Sequence, residues 1–212
     1  MVDQREYWNN RREAPKNDRY NGELSSFAKV AVPYFPTNAE VIELGCGYAN
    51  DSAGFARLGF NVLATDFSEA AITNASEHFQ GLPHINFEVL DISKLMPYKD
   101  ARFDVVYARL SLHYFTDEVT KKVFKEIKRV LRPNGLLAFV CKTTDDPLYG
   151  QGELLEKDMF NLNGHIRHFF SEEYVRECLK GDYTIELMTS GKERFGKEES
   201  AFVNVIARAQ AI

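Results

Sequence analysis

An apolar strand that breaks into a glycine turn and then opens a helix is spelled out by Val41-Ile42-Glu43-Leu44-Gly45-Cys46-Gly47-Tyr48-Ala49-Asn50-Asp51-Ser52. Few folds accept that order. Glycines let backbone approach a ligand closely, and amides at a helix N-terminus receive polar groups, so the stretch reads as a cradle for a nucleotide-type ligand. A third glycine at position 50 would complete the fingerprint for a pyrophosphate-bearing dinucleotide, but Asn50 stands there. Glu43 lies inside the strand, where a carboxylate is costly unless paired or hydrogen-bonded. It is expected to belong to a functional network.

From residue 38 onward, short apolar runs alternate with helix-period segments, the pattern of a parallel sheet covered on both faces. Strands are expected near 40–44, 61–65, 86–90, 103–108 and 136–141, with helices near 51–58, 68–79 and 116–130. Ser68 and Thr116 supply N-caps, and Gly81-Leu82-Pro83 and Pro133-Asn134-Gly135 punctuate the returns. Upstream, Leu24, Phe27, Ala28 and Ala31 give residues 23–32 an apolar helical stripe that Pro33 and Pro36 end. Residues 3–20 carry Tyr7, Trp8 and Tyr20 among their charges, more aromatic surface than a solvated tail needs. After Cys141 the alternation loosens, and 143–164 reads as loop-rich, the place where substrate-specific elements lie. A helix capped by Ser171 follows over 171–179, then strands over 183–188 and 201–207 separated by a polar segment.

Further motifs succeed the glycine turn in a fixed order: Val62-Leu63-Ala64-Thr65-Asp66-Phe67-Ser68, Val89-Leu90-Asp91-Ile92, Phe103-Asp104-Val105-Val106-Tyr107-Ala108-Arg109 and Leu131-Arg132-Pro133-Asn134-Gly135. Asp66 ends the second strand about 20 residues past the turn, where an acid can accept hydrogen bonds from two ribose hydroxyls. Arg109 ends the fourth strand, on the edge where ligands collect in open parallel sheets. Over residues 38–141 the chain resembles the class I S-adenosylmethionine-dependent methyltransferases, Glu43-Leu44-Gly45-Cys46-Gly47 being similar to their first motif. The resemblance implies an α/β fold with a doubly wound, mostly parallel, seven-stranded Rossmann-like sheet and an antiparallel last strand. It implies S-adenosylmethionine as cofactor, held by Glu43, Gly45, Cys46, Gly47, Asp66, Phe67, Asp91, Ile92 and Arg109, with Asp91 and Ile92 at the adenine. Methyl transfer would be direct and in line, to a small-molecule acceptor, in a single domain over 1–212. Its parts would be a lid or packing segment over 1–37, a cofactor-binding core over 38–141 and a substrate side over 142–212. His113 and Arg109 are the candidate catalytic residues, and Tyr7, Trp8, Tyr20, Tyr114 and Tyr149 the candidate lid or substrate contacts. In size, in its Tyr7-Trp8 start and in the stretch 164–171 the chain is most similar to small-molecule and tellurite-resistance-type members.

Position 108 onward reads Ala108-Arg109-Leu110-Ser111-Leu112-His113-Tyr114 and lacks the Asn/Asp-Pro-Pro-Tyr/Phe tetrapeptide of members that methylate amino groups of nucleic-acid bases or protein glutamine. A net charge of −5 and a pI near 5.6 likewise argue against a nucleic-acid partner. Lys121, Lys122, Lys125, Lys128 and Arg129 read as the solvated face of one helix. Three scattered cysteines, Cys46, Cys141 and Cys178, indicate neither a disulfide framework nor a metal site, and His165 and His168 read as loop or packing histidines. With no apolar run long enough for a membrane, a cytoplasmic location is expected. Two rivals remain. A nicotinamide-dependent oxidoreductase would share the turn and Asp66 but lacks its third glycine and a Tyr-x-x-x-Lys dyad here; a regulatory or scaffold domain that binds the methyl donor without turnover would share every cofactor motif. Oligomeric state leaves no mark on the sequence.

Overall fold

Five largely apolar runs become the parallel part of one sheet: β1 (Glu40–Leu44), β2 (Asn61–Asp66), β3 (Ile85–Val89), β4 (Phe103–Arg109) and β5 (Leu131–Lys142). The structure is a computed structural model that describes residues 4–12, 19–195 and 198–211. Two long strands, β9 (Tyr183–Phe195) and β10 (Glu198–Ala209), complete the sheet in the order β3-β2-β1-β4-β5-β10-β9. β10 runs antiparallel to both of its neighbours. The expected doubly wound sheet with an antiparallel last strand is therefore present. The polar segment expected to separate the last two strands is instead part of them, since Thr189–Lys192 pairs in register with Ala201–Asn204.

Alternation along each strand sends side chains to two cores. Ile42, Leu44, Val106, Leu137 and Phe139 face one way, meeting Val123, Phe124 and Ile127 of α5 (Asp117–Val130) and Val175 and Leu179 of α6 (Glu172–Leu179). Val41, Val62, Val105, Tyr107 and Ala138 face the other way, against Phe27, Ala28 and Ala31 of α2 (Ser26–Ala31) and Phe55 of α3 (Asn50–Arg57). Burying a Val, Leu, Ile or Phe side chain in this manner contributes about 1.5–3 kcal/mol. α4 (Glu69–His78) closes on a smaller cluster through Ile72 and Ala75. Four helices begin as their hydroxyl caps dictate: the oxygens of Ser25, Ser68, Thr116 and Ser171 accept from the amides of Ala28, Ala71, Val119 and Tyr174. The upstream helix is shorter than its apolar stripe suggested, because Pro33 turns the chain into a 3-10 turn over Val32–Tyr34.

Residues 143–164 depart from the loop-rich expectation. After Gly152 the chain forms a separate three-stranded antiparallel sheet of β6 (Glu153–Glu156), β7 (Met159–Leu162) and β8 (His165–His168). Asn163 and Gly164, both at positive φ, make the two-residue turn between β7 and β8. Asn-Gly is the sequence such a turn favours, because both central residues must adopt a left-handed conformation.

Candidate functional site

Strand order reverses between β1 and β4, and in open parallel sheets the crevice outside the carboxyl ends at such a reversal is where ligands bind. A cleft of about 1610 Å³ opens there. Glu43, Gly45, Cys46 and Gly47 line it from the end of β1, Asp66 and Phe67 from β2, Asp91 and Ile92 after β3, and Arg109 from β4. All nine expected cofactor residues thus meet in one cavity.

The glycine turn is held by its neighbours more tightly than a free cradle would be. The Thr65 carbonyl accepts the amides of both Gly45 and Cys46 at 2.8 Å, and Asp66 Oδ2 accepts the amide of Gly47 at 2.9 Å. Backbone amides at the turn are therefore largely committed to β2. Gly45 lies at φ +78°, and a Cβ there would sit 2.4 Å from Ser111 Cβ, in the loop after β4 whose hydroxyl donates to the Leu44 carbonyl. Only glycine fits. Asp66 is pinned from the other side as well, Oδ1 accepting the Ser68 amide at 2.9 Å. Its carboxylate thereby joins the turn to the start of α4.

Behind the turn lies a buried pair of acids. Glu43 is 3% exposed and takes a hydrogen bond from the Ser52 hydroxyl of α3. Burial and then the charge of Asp51 push its carboxyl up to about 8, against the lowering effect of the Ser52 hydrogen bonds and of Arg109. Asp51 accepts from the Ser25 amide at 2.6 Å, the Ser25 hydroxyl at 2.9 Å and the Tyr107 hydroxyl at 2.8 Å. Asp91 is held by its own turn, its Oδ1 accepting the Ser93 hydroxyl at 2.6 Å and Lys94 lying 3.4 Å from Oδ2. Burial raises the Asp91 pKa, but the Ser93 and Lys94 interactions outweigh that and leave it below the usual carboxylate value.

Over the cleft lies α1 (Gln4–Arg12). Gln4 Nε2 donates to the Gly164 carbonyl at 2.8 Å, and Asn9 Oδ1 accepts from the Ser68 hydroxyl at 2.6 Å. Those two bonds anchor α1 to the small sheet at one end and to the cap of α4 at the other. Between them the rings of Tyr7, Trp8, Tyr114 and His165 pack together, His165 stacking on Tyr7 at 4.9 Å and on Tyr114 at 5.5 Å. His113, 1% exposed, lines the cleft beside them, and its Nδ1 accepts the Lys142 amide at 3.3 Å. That acceptor role places the ring proton on Nε2 in the neutral tautomer. Burial, followed by the nearby charges of Arg167, His165, Lys142 and His168, holds the His113 pKa well below the ordinary histidine value.

Residues 42–139 match the methyltransferase domain family. Over that stretch the chain is similar to methyltransferase domains. The malonyl-[acyl-carrier protein] O-methyltransferase of Pseudescherichia vulneris is 28% identical over 156 residues, covering 71% of this chain and 58% of that protein. The chain spans little more than half the length of the first curated relatives it matches, 54% and 58%. Among solved structures, a methyltransferase of Methanosarcina mazei superposes with a TM-score of 0.77 at 19% identity, covering 90% of this chain and all of that one. A 1,6-didemethyltoxoflavin-N1-methyltransferase of Burkholderia thailandensis, solved with its substrate and S-adenosylhomocysteine, gives 0.69 at 21% identity, over 92% of this chain and 80% of that one. At these identities the solved structures establish the shared fold.

Two expected contacts lie outside the cleft. Tyr20 does not line the cleft: it stacks on His78 at 4.8 Å and meets Tyr48 and Phe79 edge-on, packing the strap before α2 against the end of α4. Tyr149 is 38% exposed and also outside the cleft, its hydroxyl donating to Asp158 at 2.7 Å and its ring set against Phe160 and Phe169. Tyr7 backs the aromatic wall without lining the cleft, while Trp8 and Tyr114 do line it. Asp51, Lys142, His165 and Arg167 line the cleft and were not expected there. For Asp51 a signal existed, since an acid in the first turn after a ligand-binding loop sits where the helix N-terminus is already electropositive. His165 and Arg167 were masked by the loop-rich reading of their neighbourhood.

Proposed function

We propose that this chain transfers the methyl group of S-adenosylmethionine to a small-molecule acceptor by direct in-line displacement. The observation that carries the reading is the gathering of Glu43, the Gly45–Gly47 turn, Asp66, Phe67, Asp91, Ile92 and Arg109 on the wall of one cleft. A single ligand site of ordinary size occupies roughly 300–1,000 Å³. At about 1610 Å³ the cleft has room for a cofactor and an acceptor together. The donor set fits the cofactor: carboxylates at Asp66 and Asp91 suit ribose hydroxyls and the adenine amino group, and the glycine at position 45 keeps the wall free of a Cβ. The Burkholderia enzyme, whose acceptor is a small molecule, and the acidic charge balance support a small acceptor and no nucleic-acid partner. No described helix is long and apolar enough to cross a membrane, and the three free cysteines suit a reducing cytoplasm.

When bound, the cofactor supplies an electrophilic methyl on a sulfonium. The chain's own part is to align donor and acceptor and keep water out, a contribution that effective molarities place at about 7–11 kcal/mol. In this reading the segment before residue 38 serves as a lid through α1 and as packing through α2, 38–141 hold the cofactor and 142–212 shape the acceptor side. His113, neutral and with its proton on Nε2, presents a hydrogen-bond donor to the acceptor in preference to removing a proton from it. Calorimetry tests the reading: S-adenosylmethionine and S-adenosylhomocysteine bind in the micromolar range, NAD does not, and Asp66→Ala weakens cofactor binding at least tenfold, about 1.4 kcal/mol. Tight NAD binding with no heat from the methyl donor overturns it.

A further inference from the structure

One end of the cleft carries positive charge that the cofactor residues do not explain. Lys142, His165, Arg167 and Ser200 line it with His113, drawn from β5, β8 and β10. Lys142 is compensated, its ammonium lying 2.7 Å from the buried Asp146 carboxylate and donating to Ser200 Oγ at 3.0 Å. Arg167 is not. Among the described residues it forms no ion pair, its Nη2 lies 3.2 Å from a ring nitrogen of His165, and its Nε is buried without a hydrogen-bond partner. Glu156, an acid that also lines the cleft, is engaged by the Asp117 amide at the start of α5. A guanidinium with a buried, unsatisfied N–H beside an aromatic wall is a costly arrangement unless something planar and negative completes it.

We propose that the acceptor carries a carboxylate, received by the Arg167 guanidinium beside the Nε2–H of His113, with its apolar body against Trp8 and Tyr114. This assignment deepens the methyltransferase reading and rests on it for the word acceptor. A guanidinium presents paired donors in a plane that matches both oxygens of a carboxylate, and with Lys142 already paired to Asp146 this single uncompensated cation suits a monoanion over a dianionic phosphate. The low His113 pKa, set first by burial and then by Arg167, His165 and Lys142, agrees with cations gathered at this end. Asp66 and Asp91, on the β2–β3 side of a sheet whose other side carries β5 and β10, leave the cleft with unlike charge at its two ends. Such a division would set donor and acceptor in one orientation.

Trp8 is the chain's single tryptophan and lines the cleft, so its emission reports occupancy directly. Benzoate, benzamide and phenyl phosphate are titrated into the protein with and without saturating S-adenosylhomocysteine. Benzoate should change Trp8 emission saturably and bind at least tenfold more tightly than benzamide and than phenyl phosphate. Arg167→Gln should abolish that preference, and Arg167→Lys should keep part of it, with both variants melting as the parent does. Equal binding of benzoate and benzamide, stronger binding of phenyl phosphate, or a preference that survives in Arg167→Gln overturns the proposal. If Arg167→Gln fails to fold, Arg167→Lys decides, an unchanged tenfold preference with no loss of affinity counting against a planar pairing. Loss of the S-adenosylhomocysteine signal alone overturns the cofactor reading and leaves the benzoate comparison to decide the charge of the second ligand.

Discussion

Glu43 shows how one residue carries both the fold's cost and the site's chemistry. Its carboxyl titrates near 8 in the folded chain against an ordinary 4.5, so between those values the folded state holds a proton that the unfolded state has released. Stability therefore falls as pH rises through that window, by up to about 1.4 kcal/mol per pH unit from this group. Glu43→Gln removes the titration while keeping an acceptor for the Ser52 hydroxyl. Melting curves of the ligand-free protein between about pH 5 and 8 should show the parent losing ground to Glu43→Gln as pH rises; parallel curves would show that Glu43 is ionised throughout. Asn50 makes a second residue-scale point. It stands where a dinucleotide site would have glycine, and its side chain accepts the amides of Asn21 and Gly22 at 3.0 Å while donating to the Arg19 carbonyl at 2.7 Å. The substitution that spoils one fingerprint thus builds the strap leading into α2.

At the scale of elements, α1 behaves as a bridge over the cleft. Among the described residues it contributes to none of the three apolar cores, and its described attachments include Gln4 to Gly164, Asn9 to Ser68 and the ring contacts of Tyr7 and Trp8. A few hydrogen bonds of about 0.5–1.5 kcal/mol each and an aromatic contact hold it, far less than holds α5 or α6. Deleting residues 1–12 should therefore cost little melting temperature but raise the dissociation rate of S-adenosylhomocysteine at least tenfold, read by stopped-flow displacement. An unchanged rate would show that α1 packs on the domain without closing it.

At the scale of the whole molecule, the buried Lys142–Asp146 pair locks the end of β5 to the start of β10. Asp146 Oδ2 also accepts the Ala201 amide at 3.1 Å and Oδ1 the Leu148 amide at 3.0 Å, so one carboxylate secures the sheet and the first turn of the connection to the small sheet. Asp146→Ala leaves an ammonium and two amides uncompensated. Breaking a buried pair from one side costs about 3–5 kcal/mol, which for a chain of this size lowers Tm by roughly 6–20 °C. Scanning calorimetry should show that drop, while the β1–β3 side keeps its cofactor affinity within a few fold; a drop of a degree or two would mean that Lys142 reaches water when its partner is removed.

What the sequence determined by itself was whatever depends on neighbours in the chain. Short apolar runs set β1 to β5, hydroxyl caps set the starts of α4, α5 and α6, and the family resemblance carried by the glycine turn and the motifs after β2, β3 and β4 named nine residues that line the cleft. Even the small sheet left a local trace in Asn163-Gly164, but its strands carry Glu153, Glu156, His165 and Arg167 in place of an apolar alternation, so only cross-strand pairing reveals them. Tertiary structure alone decided which aromatic residues line the cleft. Tyr20 and Tyr149 have the same composition-level credentials as Trp8 and Tyr114, yet His78 and Asp158 claim them first. It also decided the pairing of Glu43 with Ser52 and Asp51, and the meeting of Arg167 with His113 across more than fifty positions of sequence. Burial and charge act through space, and no spacing along the chain encodes them.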